Sequence, residues 1–478
     1  MKFINRSLVH SIFTTILISL SIFMATSCGE VYMGENDPAS NGLLSLSLRL
    51  NGEGQVFTPT QNGPYRDGDI IEFHIPSSIE SPVDLSKGSL TASLENDCFM
   101  ELPLAGRIFD LSEPQSLRVL LPEGRTATYT IVAKRITPLC LFKKTWFKSG
   151  FDLGYEFPVW ITSIAMAREG VVIYDGVENY AASRIKVYDE NDGSLLNSIP
   201  VPNTFLSQVK TDDAGHIVAA RENVYGAGFM LYLYKDMNSQ PELILDYSAA
   251  LGCQLMLGYR FSVCGDLTSG KAYVYAMAGN IYFGAKGKEY YCWEFNDGVP
   301  VSVIPVKTDF SSQVTDCWDS SNIQRMSTDA GSDIYLSYYR YNENTGSRIY
   351  CIKSDTGDLT EMKPSNFEFQ LLGFRVFEMQ GHRFMAMLTQ GNGAPTLNLK
   401  VFDITDPHQW STMKPGDEGY SNFMIYESEP LPANNVNHWG DVAVRVDGMT
   451  AYIYATVVSS DKAQAGVVKW TVNYFPPE

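Results

Sequence analysis

Six stretches of this chain share one pattern, a polar turn carrying glycine followed by an apolar strand. They are REGVVIYDG (Gly170), DAGHIVAAR (Gly215), TSGKAYVYAM (Gly270), DAGSDIYLSY (Gly331), MQGHRFMAML (Gly381) and VDGMTAYIYAT (Gly448), at steps of 45, 55, 61, 50 and 67 residues. About 17–22 residues after each glycine comes a second apolar strand: IKVYDENDG, LYLYKDMNS, YYCWEFNDG, IYCIKSDTG, LKVFDITDP and VVKWTVNYF. Repetition at this period restricts the fold to arrays in which each unit buries its apolar face against its neighbours. Charged residues make up only 19% of the chain and aromatics 12%, which suits strands better than helices.

Each unit has room for four strands, and six such units predict a six-bladed β-propeller over residues 145–478, with five and seven blades left open by the uneven step. No G-H…W-D pair marks a WD40 repeat. The order of strands and turns resembles that of six-bladed propellers of the NHL or TolB type, over about 330 residues.

Residues 43–140 differ. LLSLSLRLNG puts Leu44, Leu46, Leu48 and Leu50 on one face of a half-buried strand, and further short alternating strands follow. They predict an immunoglobulin-like sandwich, so the expected fold class is all-β, a sandwich followed by a propeller. FDLSEPQSLRVLLPEGRTATYTIVAKR resembles the closing hairpin of Ig-like modules at the N-terminus of Bacteroidota surface lipoproteins, through Asp110, Ser112, Pro114, Gly124 and Tyr129. The resemblance implies a spacer and no catalysis.

The first 27 residues read as a signal peptide. Lys2 and Arg6 precede an apolar run at 11–24 that is too short to span a bilayer well, and small residues follow it. Ala25-Thr26-Ser27-Cys28 resembles a bacterial lipobox, with Ala25 where Leu is commoner; the resemblance implies lipidation at Cys28. Ordinary secretion with cleavage nearby is the alternative. Residues 28–42 then form a polar tether, and the expected location is the outer membrane, facing the exterior. The net charge of −18 becomes −20 once residues 1–27 are removed, which disfavours nucleic acid as a partner.

KVYDENDGSLLNSIPV, residues 186–201, has the look of a calcium loop. From Asp189, however, Gly193 falls at position 5 instead of 6, and Pro200 stands where a bidentate Glu is needed. YCWEFNDGVPVSVIPV has the same run of strand, Asn-Asp-Gly, strand and Ile-Pro-Val, and YCIKSDTGDLTEMK keeps its Gly at the same offset. A turn repeated in three units is architecture, and Asp/Asn-Gly supplies the positive φ of a hairpin. The cysteines show no C-x-x-C spacing; Cys253 and Cys264 read as buried hydrophobes better than as a cross-hairpin pair.

Catalytic motifs are sparse. The histidines lack metal-site spacing, and there is no G-x-S-x-G and no P-loop; no cofactor is expected. In a ring of repeats, the segments leading into each inner strand meet at the channel mouth. There the sequence places Trp160, Phe205, Phe261, Trp318 and Trp439, with Arg260, Asp319, His438 and Asp441 beside them. Aromatic faces with polar edges bind sugars and other small ligands; the same aromatics can instead wedge between blades as core. Trp293 and Trp470 read as packing. The expected function is a lipid-anchored surface protein that binds a glycan or a partner protein. The alternatives are a lactonase-like hydrolase or lyase, with Asp316, Asp319, Asn437 and Asp441 as metal ligands, or a non-catalytic scaffold.

Overall fold

The computed structural model describes residues 42–51, 56–76, 83–136, 139–155, 163–175, 184–202, 204, 206–224, 226–279, 289–309, 321–338, 347–362, 369–391, 397–417, 419–431 and 440–475. The expected signal peptide, Cys28 and most of the tether lie outside these residues. No described helix is long and apolar enough to cross a membrane.

Two sheets come first, one of Val56–Phe57, Leu43–Leu50 and Gly88–Leu94, the other of Ile70–Pro76, Thr126–Ile136, Gln115–Leu120 and Phe99–Met100. Alternating residues of both sheets, among them Leu48, Phe73, Leu117 and Tyr129, meet in one core. The first strand corrects one expectation. Leu43 is buried and Leu44 is 39% exposed, because the pairing register shifts between Leu43 and Ser45. One slipped residue sends every side chain on that side of the bulge to the other face.

Among the described residues six antiparallel sheets follow, five of them built from consecutive strands. The first is Ile164–Met166, Val171–Asp175, Arg184–Tyr188 and Leu195–Pro200; the second is Gln208–Thr211, Ile217–Arg221, Phe229–Tyr234 and Glu242–Tyr247. The third is Leu257–Gly265, Lys271–Ala278 and Glu289–Asn296, with an outer edge divided into Val299–Pro300 and Val306–Asp309. The fourth is Asn322–Arg325, Asp333–Tyr338, Arg348–Lys353 and Leu359–Met362; the fifth is Phe369–Met379, His382–Gly391, Leu397–Asp403 and Met424–Glu427. The sixth is Val442–Asp447, Thr450–Val457 and Gly466–Tyr474, completed by Cys140–Ser149 from before the first sheet. The six repeat glycines fall one each in the first hairpins of these sheets.

The innermost strands touch in a closed cycle, first to second and onward to sixth and back to first. This is the arrangement of a β-propeller. Apolar faces of neighbouring sheets supply the cores between them: Phe229, Leu231, Phe261 and Trp293 pack together between the second and third. Trp293 and Trp470, read as packing from the sequence, are both fully buried.

The stretch at 186–201 is a hairpin. The Asp189 amide donates to Ser194 O, the Gly193 amide donates to Asp189 O, and Gly193 has φ +72°. SDTG forms the same turn, with Lys353 N donating to Asp358 O and Gly357 N to Lys353 O. WEFNDG does not. There Asp297 and Gly298, at φ +48° and +84°, make a two-residue hairpin between Asn296 and Val299. Similar sequences thus close two different turns. The first turn also bonds across to another sheet. Arg445 donates to Glu190 Oε1 at 2.7 Å and Lys469 Nζ to Glu190 O at 2.6 Å, fastening the first sheet to the sixth.

Candidate functional site

The inner strands of a propeller each leave one backbone edge unpaired toward the axis and the next sheet, and buried amides need acceptors. Here polar side chains supply them. Ser163 Oγ accepts the Val209 amide at 2.9 Å, joining the first sheet to the second. Gln208 Oε1 accepts the Phe261 amide at 3.0 Å, joining the second to the third. Gln324 Oε1 accepts the Val376 amide and its Nε2 donates to the Val376 carbonyl, both at 2.8 Å, joining the fourth to the fifth. Asp441 Oδ2 accepts the Ile164 amide at 3.2 Å, joining the sixth to the first.

At the end where the inner strands begin, the stitches of Gln208 and Asp441 meet at the Asp441 carboxylate. Its Oδ2 accepts Lys210 Nζ at 2.6 Å and Gln208 Nε2 at 3.4 Å, and the Arg260 guanidinium lies 4.0 Å away. Arg260 crosses the axis from the third sheet and donates to Gly440 O at 2.9 Å and Leu372 O at 3.5 Å. Asp441 and Arg260 are 1% and 2% exposed. Burial pushes the Lys210 ammonium down from its usual pKa, Asp441 pulls it back up, and Arg260 and Arg375 push it further down. The backbones come close here. A Cβ on Gly373 would stand 2.8 Å from Asp441 Cα and 3.1 Å from Gly440 O.

Arg260 and Asp441, two residues expected at the mouth, are thus brought together on the axis. Phe261 is not with them. It is 2% exposed, facing the second sheet, because successive residues of a strand point to opposite sides. Trp160, Phe205, Trp318, Asp319, His438 and Trp439 lie outside the described residues, as do Asp316 and Asn437. Lys210, Gln208 and Arg375 were not singled out by sequence. Their signal was there: Arg375 is the one charge in FQLLGFRVF, and Gln208 and Lys210 flank the apolar Val209 in SQVKT.

Beyond this hub, toward the first hairpins, the channel holds a cavity of about 310 Å³. Arg168, Lys210, Asp212, Asp213, Arg375 and Arg445 are the charged residues that line it. Arg168 donates to Ala214 O at 3.0 Å, and Asp213 Oδ2 accepts the Gly265 amide at 2.7 Å. Arg445 holds Glu190 and the Ala167 carbonyl. Among the described residues Arg375 has no hydrogen-bond or ion-pair partner, and burial pushes its guanidinium down while Asp213 and Asp441 act against that shift.

Asp212, His216 and Asp266 are close enough to hold a metal, their donor atoms lying within 4.8 Å of one another. Their donors are already used. Asp212 Oδ1 accepts the His216 amide at 2.8 Å; its Oδ2 meets His216 Nδ1 at 2.8 Å and accepts the Leu267 amide at 2.9 Å. Asp266 Oδ1 accepts the Thr268 amide and hydroxyl, both at 2.7 Å. The trio pins the first hairpin of the second sheet to that of the third. A second cavity, about 620 Å³, lies between the N-terminal sheets and the fifth sheet, where Phe57 and His74 face His382, Asp403 and Tyr420. His382 Nδ1 is 2.9 Å from Asp403 Oδ2, and His74 Nε2 is 2.7 Å from Glu72 Oε1.

No protein-family model matches the chain, and no curated protein matches it. Solved structures do. A DUF4623 family protein from Bacteroides eggerthii is similar at 16% identity over 91% of this chain and 99% of that one, with TM-score 0.50. A protein of unknown function from Dyadobacter fermentans is similar at 9% identity over 70% of this chain and 99% of that one, with TM-score 0.45. TolB from Acinetobacter baumannii is similar at 13% identity over 63% of this chain and 62% of that one, with TM-score 0.31. The likeness to the Bacteroides protein speaks to fold alone; the closed cycle of inner strands makes the described part of this chain all-β, repeat-built and of propeller architecture.

Proposed function

We propose that this chain is a lipid-anchored binding protein of the cell surface, a six-bladed propeller carried behind an immunoglobulin-like spacer. In this reading Cys28 bears the lipid, residues 28–42 form the tether, and the outer membrane holds the protein facing outward. The ligand is a glycan or a partner protein taken at the channel mouth where the inner strands begin.

The observation that carries the reading is the hub of Asp441, Lys210, Gln208 and Arg260. Its charges are spent on one another and on backbone of the first, fifth and sixth sheets, so it serves as a rigid floor beneath that mouth. A floor of this kind supports recognition by the rim, and preorganised rims lose little on binding. The sequence puts Trp160, Phe205, Trp318 and Trp439, with Asp319 and His438, in the segments that lead into inner strands. Aromatic faces with polar edges suit sugar rings.

The test is a glycan array probed with residues 29–478, beside Trp160→Ala and Trp439→Ala, and recovery of a stoichiometric partner from envelope extracts. Retention of specific glycans or of one partner, lost in the tryptophan variants, supports the reading. A blank array together with no stoichiometric partner sinks it.

A further inference from the structure

The charged groups lining the 310 Å³ axial cavity are accounted for, with one exception. Lys210 is held by Asp441 at 2.6 Å, Arg445 by Glu190 at 2.7 Å, and Arg168 by the Ala214 carbonyl at 3.0 Å. Asp212 is tied to His216 at 2.8 Å and Asp213 to the Gly265 amide at 2.7 Å. Arg375 alone among them lacks an acceptor within the described residues, although its inner strand, Phe369–Met379, is fixed on both flanks by pairing with His382–Gly391 and by the Gln324 stitch at Val376.

A guanidinium is planar, carries five donors and keeps its charge, and Arg375 sets one, half-buried, on the cavity wall. Its best complement is a planar or tetrahedral oxyanion held by two parallel hydrogen bonds. Lys210 in the same lining adds a second positive centre, and Arg168 a third. The surrounding protein is strongly acidic, at −18, so this cationic pocket stands against the general field instead of following it. Its volume is at the lower end of small-ligand pockets, which suits a monosaccharide or smaller.

We infer that the axial cavity is a binding site for a small oxyanion, a carboxylate- or phosphate-bearing molecule, with Arg375 as the residue that clasps it. The site lies at the end of the channel with the first hairpins, beyond the Asp441 hub from the mouth discussed above, and it stands whether or not that mouth binds a glycan. Asp212 and Asp213 line the same cavity and limit it to anions that seat on the Arg375 side.

The experiment uses the chain from residue 29 to its end, titrated calorimetrically with acetate, D-glucuronate and inorganic phosphate, each against a chloride control of equal ionic strength. The same titrations are run on Arg375→Gln and on Arg118→Gln, an exposed arginine of the N-terminal sheets that lies outside the cavity. Thermal unfolding of each variant checks that it folds. Saturable binding of at least one anion, weakened tenfold or more in Arg375→Gln and less than threefold in Arg118→Gln, is the expected result. Acetate and glucuronate against phosphate tell a carboxylate site from a phosphate site. Failure of all three anions to bind up to about 20 mM, or equal binding by folded Arg375→Gln, overturns the assignment. If Arg375→Gln does not fold, the wild-type chain must still melt higher in the bound anion than in chloride, and the absence of that rise overturns it equally.

Discussion

Asp441→Asn removes one charge from the centre of the ring and keeps nearly the same shape. Lys210 Nζ, 2.6 Å away, and Arg260, 4.0 Å away, then lose their shared counter-charge in a site where Asp441 is 1% exposed. Removing one partner of a buried pair costs about 3–5 kcal/mol, because the other charge is left uncompensated. Lys210→Met should cost less, about 1–3 kcal/mol, since Asp441 keeps the Ile164 amide and Gln208 as donors. With an unfolding entropy of about 2 cal/mol/K per residue over a ring of roughly 330 residues, the Asp441→Asn loss corresponds to a fall in Tm of about 4–7 °C. Differential scanning calorimetry of wild type, both single variants and the double variant measures this. The two changes should be non-additive by about 1.5 kcal/mol or more. A Tm change under 1 °C for Asp441→Asn, or additivity within about 0.5 kcal/mol, would refute the claim that this carboxylate binds the sheets together.

Four further outcomes are expected. Gly373→Ala should destabilise by about 1–3 kcal/mol in chemical denaturation, since its Cβ would press on Asp441 Cα at 2.8 Å. Trp293→Ala, which empties a fully buried site and frees the Val303 carbonyl, should cost about 3–5 kcal/mol by the same measurement. Glu190→Gln should cost no more than about 1 kcal/mol, because Glu190 and Arg445 are 28% and 27% exposed and the Lys469 bond to the Glu190 carbonyl survives. Burial pushes the Cys140 and Cys264 thiols from 9.0 up to about 12, so at pH 8 their thiolate fraction falls about a thousandfold. Site-resolved mass spectrometry should find both alkylated by iodoacetamide only after unfolding, and rapid labelling of the native protein would contradict the packing.

The repeat was legible because its signal is local. A polar glycine turn followed by an apolar strand is written within ten residues, and all six such turns lie in equivalent hairpins. The sequence resemblance between KVYDENDG and CWEFNDG was less reliable, since one or two residues of loop length choose between a two-residue hairpin and a wider turn. Leu44 was misplaced by a bulge, which no alternation pattern records. The axial network was illegible for a different reason. Lys210 and Asp441 are 231 residues apart, and nothing in SQVK or in HWGDV names the other. Phe261 shows the limit of position alone: one residue from Arg260 on the same strand, it faces the opposite side and joins the core.

The strand Cys140–Ser149 has a consequence in time. It pairs with Gly466–Tyr474 along its whole length, from Cys140 opposite Tyr474 to Ser149 opposite Gly466. During synthesis at about 5–20 residues per second, its partner emerges roughly 15–65 s later. Until then it is an edge without a sheet, carrying Phe142, Trp146 and Phe147. The ring therefore cannot finish folding in step with translation. Five sheets can form as they appear, and the sixth must wait for Gly466–Tyr474 before the circle shuts.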